Sequence, residues 1–227
     1  MTSNPSHFAV ALDGPAGAGK STIARRVAQE MGIVYVDTGA MYRAIGLFVA
    51  RQGLDTRDPD CVLPQLAHIR ISTAYDPQKG QQIFLNGEDV SQAIRSPEMS
   101  MAASNVSSLP QVRAFLLEQQ RQMAREQSVI MDGRDIGTVV LPDAPVKIFL
   151  TADSKERARR RYQEYLDKGQ PADYDAILAD VILRDEQDTN RAEAPLRQAE
   201  DAVVLDTTHL DFDQSVEAVK MIIKERI

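Results

Sequence analysis

The sequence has little cysteine and histidine: one of its 227 residues is cysteine, Cys61, and three are histidine. A single cysteine excludes an internal disulfide, and three scattered histidines do not suggest a zinc cluster. No apolar run approaches the length that crosses a bilayer, and the segment Met1 to His7 lacks the charged-then-apolar pattern of a signal peptide. The sequence therefore predicts a cytoplasmic protein without a membrane partner.

Positive charge is also in deficit. The formal net charge of −7 argues against a general binder of nucleic acids or membrane surfaces, because such proteins carry an excess of lysine and arginine. Nineteen of the 26 basic residues are nevertheless arginine, which binds phosphates and carboxylates through two parallel hydrogen bonds. This bias indicates small anionic substrates, although about half of the arginines are expected to be solvated surface charges, such as Arg51, Arg57, Arg125 and Arg226.

One motif stands out against this background. Residues 14–22 read G-P-A-G-A-G-K-S-T after an apolar run, which fits the phosphate-binding pattern G-x-x-x-x-G-K-[ST]. Glycines let backbone N–H groups turn toward an anion, Lys20 supplies a charge to the β- and γ-phosphates, and the Ser21 hydroxyl can ligate Mg²⁺. We predict a phosphate-binding loop made of Gly14, Pro15, Ala16, Gly17, Ala18, Gly19, Lys20, Ser21 and Thr22.

The residues around this loop alternate between predicted strands and helices. Strands are predicted at residues 8–12, 33–37, 128–131, 146–151 and 202–206, and helices at 20–31, 112–126, 154–168, 173–190 and 211–226. This order indicates an α/β fold with a five-stranded parallel sheet flanked by helices. Thr38, Tyr42 and Arg43 follow the second strand, and ligands of such sheets bind beyond the carboxyl ends of strands.

Between about residues 58 and 108 the pattern changes. Residues 60–68 are compatible with a short helix, residues 69–75 and 82–85 alternate apolar and polar side chains, and residues 76–80 resemble a turn. Helix starts are indicated at Ser96-Pro97 and at Pro110. We therefore predict an inserted lobe that contains a small antiparallel sheet with one face toward water.

Charged residues cluster in three further places. Asp132-Gly133-Arg134-Asp135 follows the third strand of the main sheet. Arg157, Arg159, Arg160 and Arg161 crowd one helix, which we expect to be an exposed flap or, alternatively, a surface helix ion-paired through Glu156 and Glu164. Arg184, Asp188 and Arg191 share one face of a later helix, on which Ile177, Leu178, Val181 and Ile182 are expected to point toward the core.

Over its whole length the chain resembles the bacterial cytidylate kinases, a family of P-loop nucleoside monophosphate kinases. The resemblance rests on the loop at residues 14–22, the segments 37–43, 103–104, 110–113, 132–140 and 143–150, and Arg184-Asp185 with Asp188 and Asn190-Arg191. It implies one kinase domain with a core of residues 7–57, 109–153 and 172–227, a nucleoside-monophosphate-binding lobe at about 58–108 and a lid at about 154–171. It also implies transfer of the γ-phosphate of ATP, with Mg²⁺, to CMP and dCMP by a monomer that has no nucleic-acid partner.

The resemblance further implies roles for individual residues. The cytosine would be bound by Ser104, Arg113 and Asp135, and the sugar by Arg184 and Asp188. The CMP phosphate would be held by Thr38, Arg43, Arg134 and Arg191. Lys20, Arg134 and Arg191 would neutralise charge during in-line transfer, which needs no general base because the acceptor is already an anion. Asp132 would either position hydrated Mg²⁺ or cap the turn that follows it.

Other functions are compatible with the loop alone. Another small-molecule P-loop kinase, for adenylate or shikimate, would share it. A nucleotide-dependent switch such as a GTPase is less compatible, because the sequence has no N-K-x-D guanine-reading motif and would leave the second group of arginines without a role. A structural α/β domain with an inactive loop conflicts with the intact Lys20-Ser21 pair.

Overall fold

A five-stranded parallel sheet forms the centre of the computed structural model, which describes residues 7–76 and 80–227. Its strands, numbered in chain order, are β1 (Ala9–Asp13), β2 (Val34–Asp37), β6 (Val129–Gly133), β7 (Val146–Thr151) and β8 (Val203–Asp206), arranged β2-β6-β1-β7-β8. The parallel sheet predicted from the sequence is confirmed. Although β1 and β2 are consecutive in the chain, β6 lies between them and pairs with both.

The central strands are buried on both faces, as their unbroken apolar sequences predict. In β1, Val10, Ala11 and Leu12 have no exposed surface. The edge strand β8 differs, because its residues alternate between partly buried and exposed. All five strands run parallel, so their carboxyl ends lie along one edge of the sheet.

Eight α-helices surround the two sheets: α1 (Lys20–Met31), α2 (Thr38–Arg51), α3 (Pro59–Val62), α4 (Pro97–Ser107), α5 (Pro110–Glu126), α6 (Ser154–Asp167), α7 (Tyr174–Asn190) and α8 (Phe212–Lys224), counted within the described ranges. Short 3₁₀ helices follow at Leu63–His68 and Ala93–Arg95, and one π-helical turn occupies Ile136–Val140. Several ends match local signals: Gly32 ends α1 in the left-handed conformation, and Ser96 caps α4. In the same described ranges, none of the helices combines the length and apolar character that a bilayer crossing demands.

A second, antiparallel sheet comprises β3 (Ile71–Asp76), β4 (Gly80–Leu85) and β5 (Glu88–Asp89). Ile71, Ile83 and Leu85 are buried in the same apolar cluster as side chains of α2 and α4, so one face of this sheet is covered. The sequence predicted its first two strands but not β5, which is too short to show alternation. The predicted turn over residues 76–80 and the segment Met1 to His7 fall largely outside the described residues.

The predicted core face of α7 is wrong in one place. Ile177 and Val181 are buried, and Leu178 packs against them, but Ile182 is 43% exposed. The reason is that α7 packs mainly on α6, where Ala158, Ile177 and Val181 form a small separate cluster. One neighbouring helix covers only a narrow stripe of α7, and Ile182 lies outside it.

Candidate functional site

One cavity of about 350 Å³ opens at the carboxyl ends of β1, β2 and β6. It joins the phosphate-binding loop to the polar residues that were predicted to bind the nucleotide that accepts the phosphate. All nine residues predicted to hold the acceptor line it: Thr38, Arg43, Ser104, Arg113, Arg134, Asp135, Arg184, Asp188 and Arg191. From the loop, Ala16, Gly17, Gly19, Lys20, Ser21 and Thr22 line the same cavity.

The loop depends on its glycines. Gly14, Gly17 and Gly19 have φ values of 148°, 74° and 88°, in the region that L side chains rarely adopt. At Gly14 there is also no room, because a Cβ atom would lie 1.9 Å from the Leu150 carbonyl oxygen. Helix α1 begins at Lys20, within this motif, and its N-cap residue, Gly19, contributes no side-chain cap. The free N–H groups of the first turn therefore face the loop, where an anion can accept their hydrogen bonds.

Gly14, Pro15 and Ala18 of the loop do not line the cavity. Ala18 has no exposed surface and belongs to the apolar core beneath the sheet. Pro15 contributes through its backbone, because its carbonyl accepts a hydrogen bond of 2.8 Å from the Lys20 ammonium. These three residues shape the loop, whereas Gly17 and Gly19 lie at its open side.

Lys20 is buried, with 5% of its surface exposed. Burial lowers the pKa of its ammonium, and the positive charge of Arg134 lowers it further. Asp132, Asp188 and Asp13 act in the opposite direction without restoring the ordinary value. An anion placed beside Lys20 would stabilise the charged form, so the position favours a phosphate ligand.

Ser21 and Asp132 form the oxygen-rich part of the site. The Ser21 hydroxyl donates a 2.6 Å hydrogen bond to Asp132 Oδ2, to which the Tyr35 hydroxyl also donates at 3.4 Å. Burial raises the pKa of Asp132, with a further contribution from the charge of Asp37. Within the described ranges no cluster of three or more His, Cys, Asp and Glu residues could hold a metal. One carboxylate and one hydroxyl do fit Mg²⁺, which commonly keeps several waters and phosphate oxygens as its other ligands.

The first two turns of α2 carry Thr38 and Arg43 into the cavity. Asp37 caps this helix, since its Oδ1 accepts from the Ala40 N–H, and its Oδ2 accepts from Arg43 Nη2 at 2.7 Å. The Thr38 hydroxyl donates to the Asp132 carbonyl at 2.8 Å. Arg43 Nε is buried without a hydrogen-bond partner. This guanidinium therefore has a donor that an incoming anion can satisfy.

At the far end of the cavity Asp135 lies between two arginines. Its Oδ2 accepts a short hydrogen bond from Arg113, and its Oδ1 lies 3.8 Å from Arg191 Nη2. Arg113 Cζ also lies 5.7 Å from the centroid of the Tyr42 ring, and the Arg113 guanidinium donates to the Ser107 carbonyl. Ser104 lines the same part of the cavity. Carboxylate, guanidinium and hydroxyl groups together present both acceptors and donors to a polar ring.

A second charged group links the strand-end loop to α7. Arg134 Nε donates to Asp188 Oδ2 at 2.7 Å. Burial would raise the pKa of Asp188, but the charge of Arg134 and its hydrogen bond outweigh burial and lower it. Burial and the charge of Arg134 lower the pKa of Arg184, and burial and the charge of Arg113 lower the pKa of Arg191. A bound anion would therefore stabilise the charged forms of Arg184 and Arg191.

Arg191 adds an unsatisfied donor to this group. Its Nε donates to the Ala194 carbonyl at 2.7 Å, which orients the guanidinium, while its buried Nη2 has no hydrogen-bond partner. Arg43 and Arg191 therefore each hold a buried donor that points to the need for a bound acceptor. A phosphate fits this requirement in charge and in hydrogen-bonding capacity.

The arginine cluster on α6 differs from the expected exposed flap. Arg157 is 4% exposed, pairs with Asp185 of α7, and donates at 2.8 Å to the carbonyls of Ala16 and Ala152. Arg159 and Arg160 both bond to Glu156, as the ion-paired alternative proposed for that glutamate. Arg160 and Glu164 also line the cavity. The sequence pattern shows a crowd of arginines but not that Arg157 is buried against the phosphate-binding loop.

Asp37 was not assigned a role from the sequence, although it lines the cavity and pairs with Arg43. Its position at the end of a buried strand was the available signal, since strand ends meet at this edge of the sheet. Tyr42, which the sequence did place at this edge, also lines the cavity and lies against Arg113. Ser100 and Ser107 of α4 also line the cavity, but no pattern separates them from the other serines of that segment.

Comparison with known proteins gives consistent results. The family profile described as cytidylate kinase matches residues 10–225. A cytidylate kinase of Shouchella clausii is 46% identical over 220 residues, which cover 96% of each chain. One from Syntrophotalea carbinolica is 47% identical over 217 residues, covering 96% of this chain and 92% of the relative. Among solved structures, an uncharacterized protein from Eubacterium ventriosum shares the fold, with a TM-score of 0.50, 13% identity and coverage of 96% and 98%.

Proposed function

The chain belongs to the cytidylate kinase family, and on that premise we propose how its residues divide the transfer of the γ-phosphate of ATP to CMP and dCMP. The observation that supports the proposal is that one continuous cavity runs from Lys20 and Ser21 to the Arg113–Asp135 pair. Two phosphorylated ligands bound at its two ends would meet near Arg134.

The donor side would hold the phosphates of ATP. The loop amides and the Lys20 ammonium bind the β- and γ-phosphates, which would also return the ammonium to its charged form. Ser21 and Asp132 would hold Mg²⁺. When bound, Mg²⁺ neutralises charge on the phosphate oxygens.

The acceptor phosphate would be held by Thr38, Arg43, Arg134 and Arg191. The buried Arg43 Nε and Arg191 Nη2 support this assignment, because both lack a hydrogen-bond partner among the described residues. The lowered pKa of Arg191 supports it as well, since burial and then the charge of Arg113 lower it, and a phosphate beside the guanidinium would act against both. We propose that Lys20, Arg134 and Arg191 are the catalytic residues, which neutralise the transferring group electrostatically.

Ser104, Arg113 and Asp135 would read the cytosine. A carboxylate accepts from the N4 amino group of cytosine, and arginine and serine donate to its O2 and N3 atoms. Uracil presents a carbonyl where cytosine has the amino group, so Asp135 would face another acceptor. A buried mismatch of this kind can lower kcat/KM by several orders of magnitude.

Arg184 and Asp188 would contact the sugar. Asp188 already accepts a hydrogen bond from Arg134, so its remaining lone pairs are the ones available to sugar hydroxyls. This double use ties the sugar contact to the orientation of Arg134. Removal of Asp188 would therefore disturb both the sugar and the phosphate contacts.

The proposed domain organisation and mechanism follow from these assignments. Transfer needs no general base, because the CMP phosphate oxygen is itself the nucleophile. Residues 58–108 would act as the lobe that holds the nucleoside monophosphate, and residues 154–171 as a lid over the phosphates. We also propose a monomer that works in pyrimidine metabolism in the cytoplasm, where its nucleotide substrates are found.

A substrate panel tests the proposal. ADP release with Mg-ATP should be fast with CMP and dCMP and at least about 10²-fold lower in kcat/KM with UMP, AMP, GMP and shikimate. Asp135→Asn should reduce the difference in kcat/KM between CMP and UMP, because an amide can donate to the uracil carbonyl. Asp55→Asn, at an exposed aspartate, is the matched control and should leave the difference unchanged. Equal rates with CMP and AMP would overturn the assignment.

A further inference from the structure

Asp13 is a buried carboxylate that none of these assignments uses. It is the last residue of β1, directly before Gly14 of the phosphate-binding loop, and only 5% of its surface is exposed. It does not line the cavity. Its Oδ1 accepts from the Ile136 N–H and its Oδ2 from the Gly137 N–H, both at 2.7 Å.

These two amides belong to the segment that presents the acceptor residues. They follow Arg134 and Asp135 directly, at the start of the π-helical turn Ile136–Val140. Asp135 has φ −146° and ψ 25°, which lies outside regular helix or strand geometry. The backbone at this point needs support from outside, and the carboxylate of Asp13 supplies two of its hydrogen bonds.

Keeping a carboxylate here is costly. Burial raises the pKa of Asp13 to about 6, although the hydrogen bonds from Gly137 and Ile136 act to lower it. A side chain that only filled space would not need a charge. Of the side chains similar in size, a carboxylate alone can accept from two neighbouring N–H groups through two oxygens.

The opposite side of the segment is also closely packed. A Cβ atom on Gly137 would lie 3.2 Å from Lys147 Cδ and 3.4 Å from Asp13 Oδ2. Lys147 is itself buried and bonded to Asp201 and to the Pro142 carbonyl. Residues 136 and 137 are therefore held between β1 and β7 and cannot shift without breaking these contacts.

We propose that Asp13 is a positioning residue that fixes the Arg134–Asp135 segment relative to the phosphate-binding loop. Through the chain, Asp13 is joined to Gly14, and through its carboxylate it is joined to the residues directly after Asp135. It thereby sets where the base-reading carboxylate and the phosphate-binding guanidinium stand with respect to ATP. This inference rests on the proposed function, in which Asp135 reads cytosine.

The variant Asp13→Asn tests it with little change in shape. The amide can accept from only one of the two N–H groups, and its own N–H₂ would oppose the other. The ratio of kcat/KM for CMP to that for UMP should fall about tenfold, and KM for CMP should rise while KM for ATP changes less than about threefold. A tenfold fall corresponds to about 1.4 kcal/mol. The ratio is the decisive readout, because loss of folded enzyme lowers both rates alike and leaves the ratio unchanged.

Val10→Ala is the matched control. Val10 lies on the same strand and is fully buried, so its truncation lowers the melting temperature without touching the segment after Asp135. Its CMP to UMP ratio should equal that of the parent. If the parent itself does not distinguish CMP from UMP, the proposed base reading fails, and that result is separate from the behaviour of Asp13.

The remaining outcomes decide between positioning and support of the fold. An Asp13→Asn enzyme with the parent's ratio and the parent's KM for CMP overturns the proposal. If Asp13→Asn does not fold, Asp13→Glu replaces it, since the longer side chain keeps the carboxylate but displaces it, and the same fall in the ratio is expected. An unchanged ratio in Asp13→Glu, or failure of both variants to fold, shows that Asp13 only supports the fold.

Discussion

The donor loop and the acceptor pocket meet in one cavity but are built from different groups. The loop is one continuous run of residues, and its geometry comes from backbone conformation, with glycines at φ values of 148°, 74° and 88°. The acceptor pocket is built from charged side chains on α2, α5, α7 and the segment after β6. Three of its arginines are already paired with carboxylates, in Arg43–Asp37, Arg113–Asp135 and Arg134–Asp188.

Because of this difference, the two regions are disrupted by different kinds of substitution. A backbone site fails through conformation, because a side chain at Gly14 would collide with the Leu150 carbonyl. A side-chain site fails through its charge balance, because removal of one member leaves a buried partner without compensation. We therefore expect single substitutions on the donor side to act on turnover, and those on the acceptor side to act on substrate preference as well.

Lys20→Met should have the largest effect. The substitution keeps much of the stem and removes the only charged side chain that the donor loop itself supplies. We expect kcat to fall by roughly 10²–10³, the scale of one lost preorganised electrostatic donor, while the dissociation constant for CMP changes little. Single-turnover rates and equilibrium binding of CMP separate the two quantities.

The control for this variant is Lys224→Met at the exposed end of α8. It should leave turnover unchanged. A Lys20→Met enzyme with near-normal turnover would mean that this loop is not the donor site.

Asp188 of α7 and Arg191 offer the next largest effect and distinguish phosphate from sugar contacts. Arg191 was expected on the same helix face, but it lies directly after the end of α7 in extended conformation. Arg191→Met should lower kcat/KM about 10²-fold for CMP and dCMP alike, because both carry the phosphate. Asp188→Ala should lower it by roughly 10–100-fold, which corresponds to about 1.5–3 kcal/mol for a hydrogen bond to a charged group. Steady-state kinetics with both nucleotides provide the measurement.

The comparison of the two nucleotides identifies the hydroxyl. Equal losses with CMP and dCMP in Asp188→Ala would indicate the 3′-hydroxyl, which we expect, and a loss with CMP alone would indicate the 2′-hydroxyl. Because Asp188 also accepts from Arg134, we expect kcat to fall together with the affinity. An Asp188→Ala enzyme equal to the parent on both substrates would contradict a role for this face.

The smallest effect is expected from a substitution on α6, where Glu156 pairs with Arg159 and Arg160. Hydrogen bonds from Arg159 and then Arg160 lower the pKa of Glu156 to about 2. The carboxylate therefore stabilises the fold at pH values above its ordinary pKa of 4.5, and this contribution is lost as the pH falls from there toward 2. Because Arg159 is 65% exposed, the contribution should stay below about 1 kcal/mol.

Glu156→Gln should accordingly lower the melting temperature by at most about 2–4 °C at pH 7, and the difference from the parent should shrink as the pH falls below about 4.5. Thermal unfolding across pH measures it. Glu200→Gln, at another exposed glutamate, is the control and should show no such trend. A difference that grows toward low pH would contradict the pairing of Glu156.

The same contrast explains what the sequence could predict. The donor loop and the strands of the main sheet could be predicted, because glycine spacing and apolar runs are local features of the sequence. The partners within the acceptor pocket could not, because the sequence pattern cannot show that Asp188 accepts from Arg134 or that Arg157 reaches the Ala16 carbonyl. Such pairs depend on packing between distant elements. Ile182 was misplaced for the same reason, since helical spacing does not reveal how little of α7 its neighbour covers.

The position of β1 in the sheet has a consequence for synthesis of the chain. It leaves the ribosome before the other four strands of its sheet, yet its two neighbours begin at Val129 and Val146. At translation rates of roughly 5–20 residues per second, β1 and the loop attached to it wait on the order of ten seconds for these partners. The apolar residues of β1 are unpaired during that interval, when chaperones and aggregation compete for such segments. The ATP site can therefore form only after most of the protein has been made.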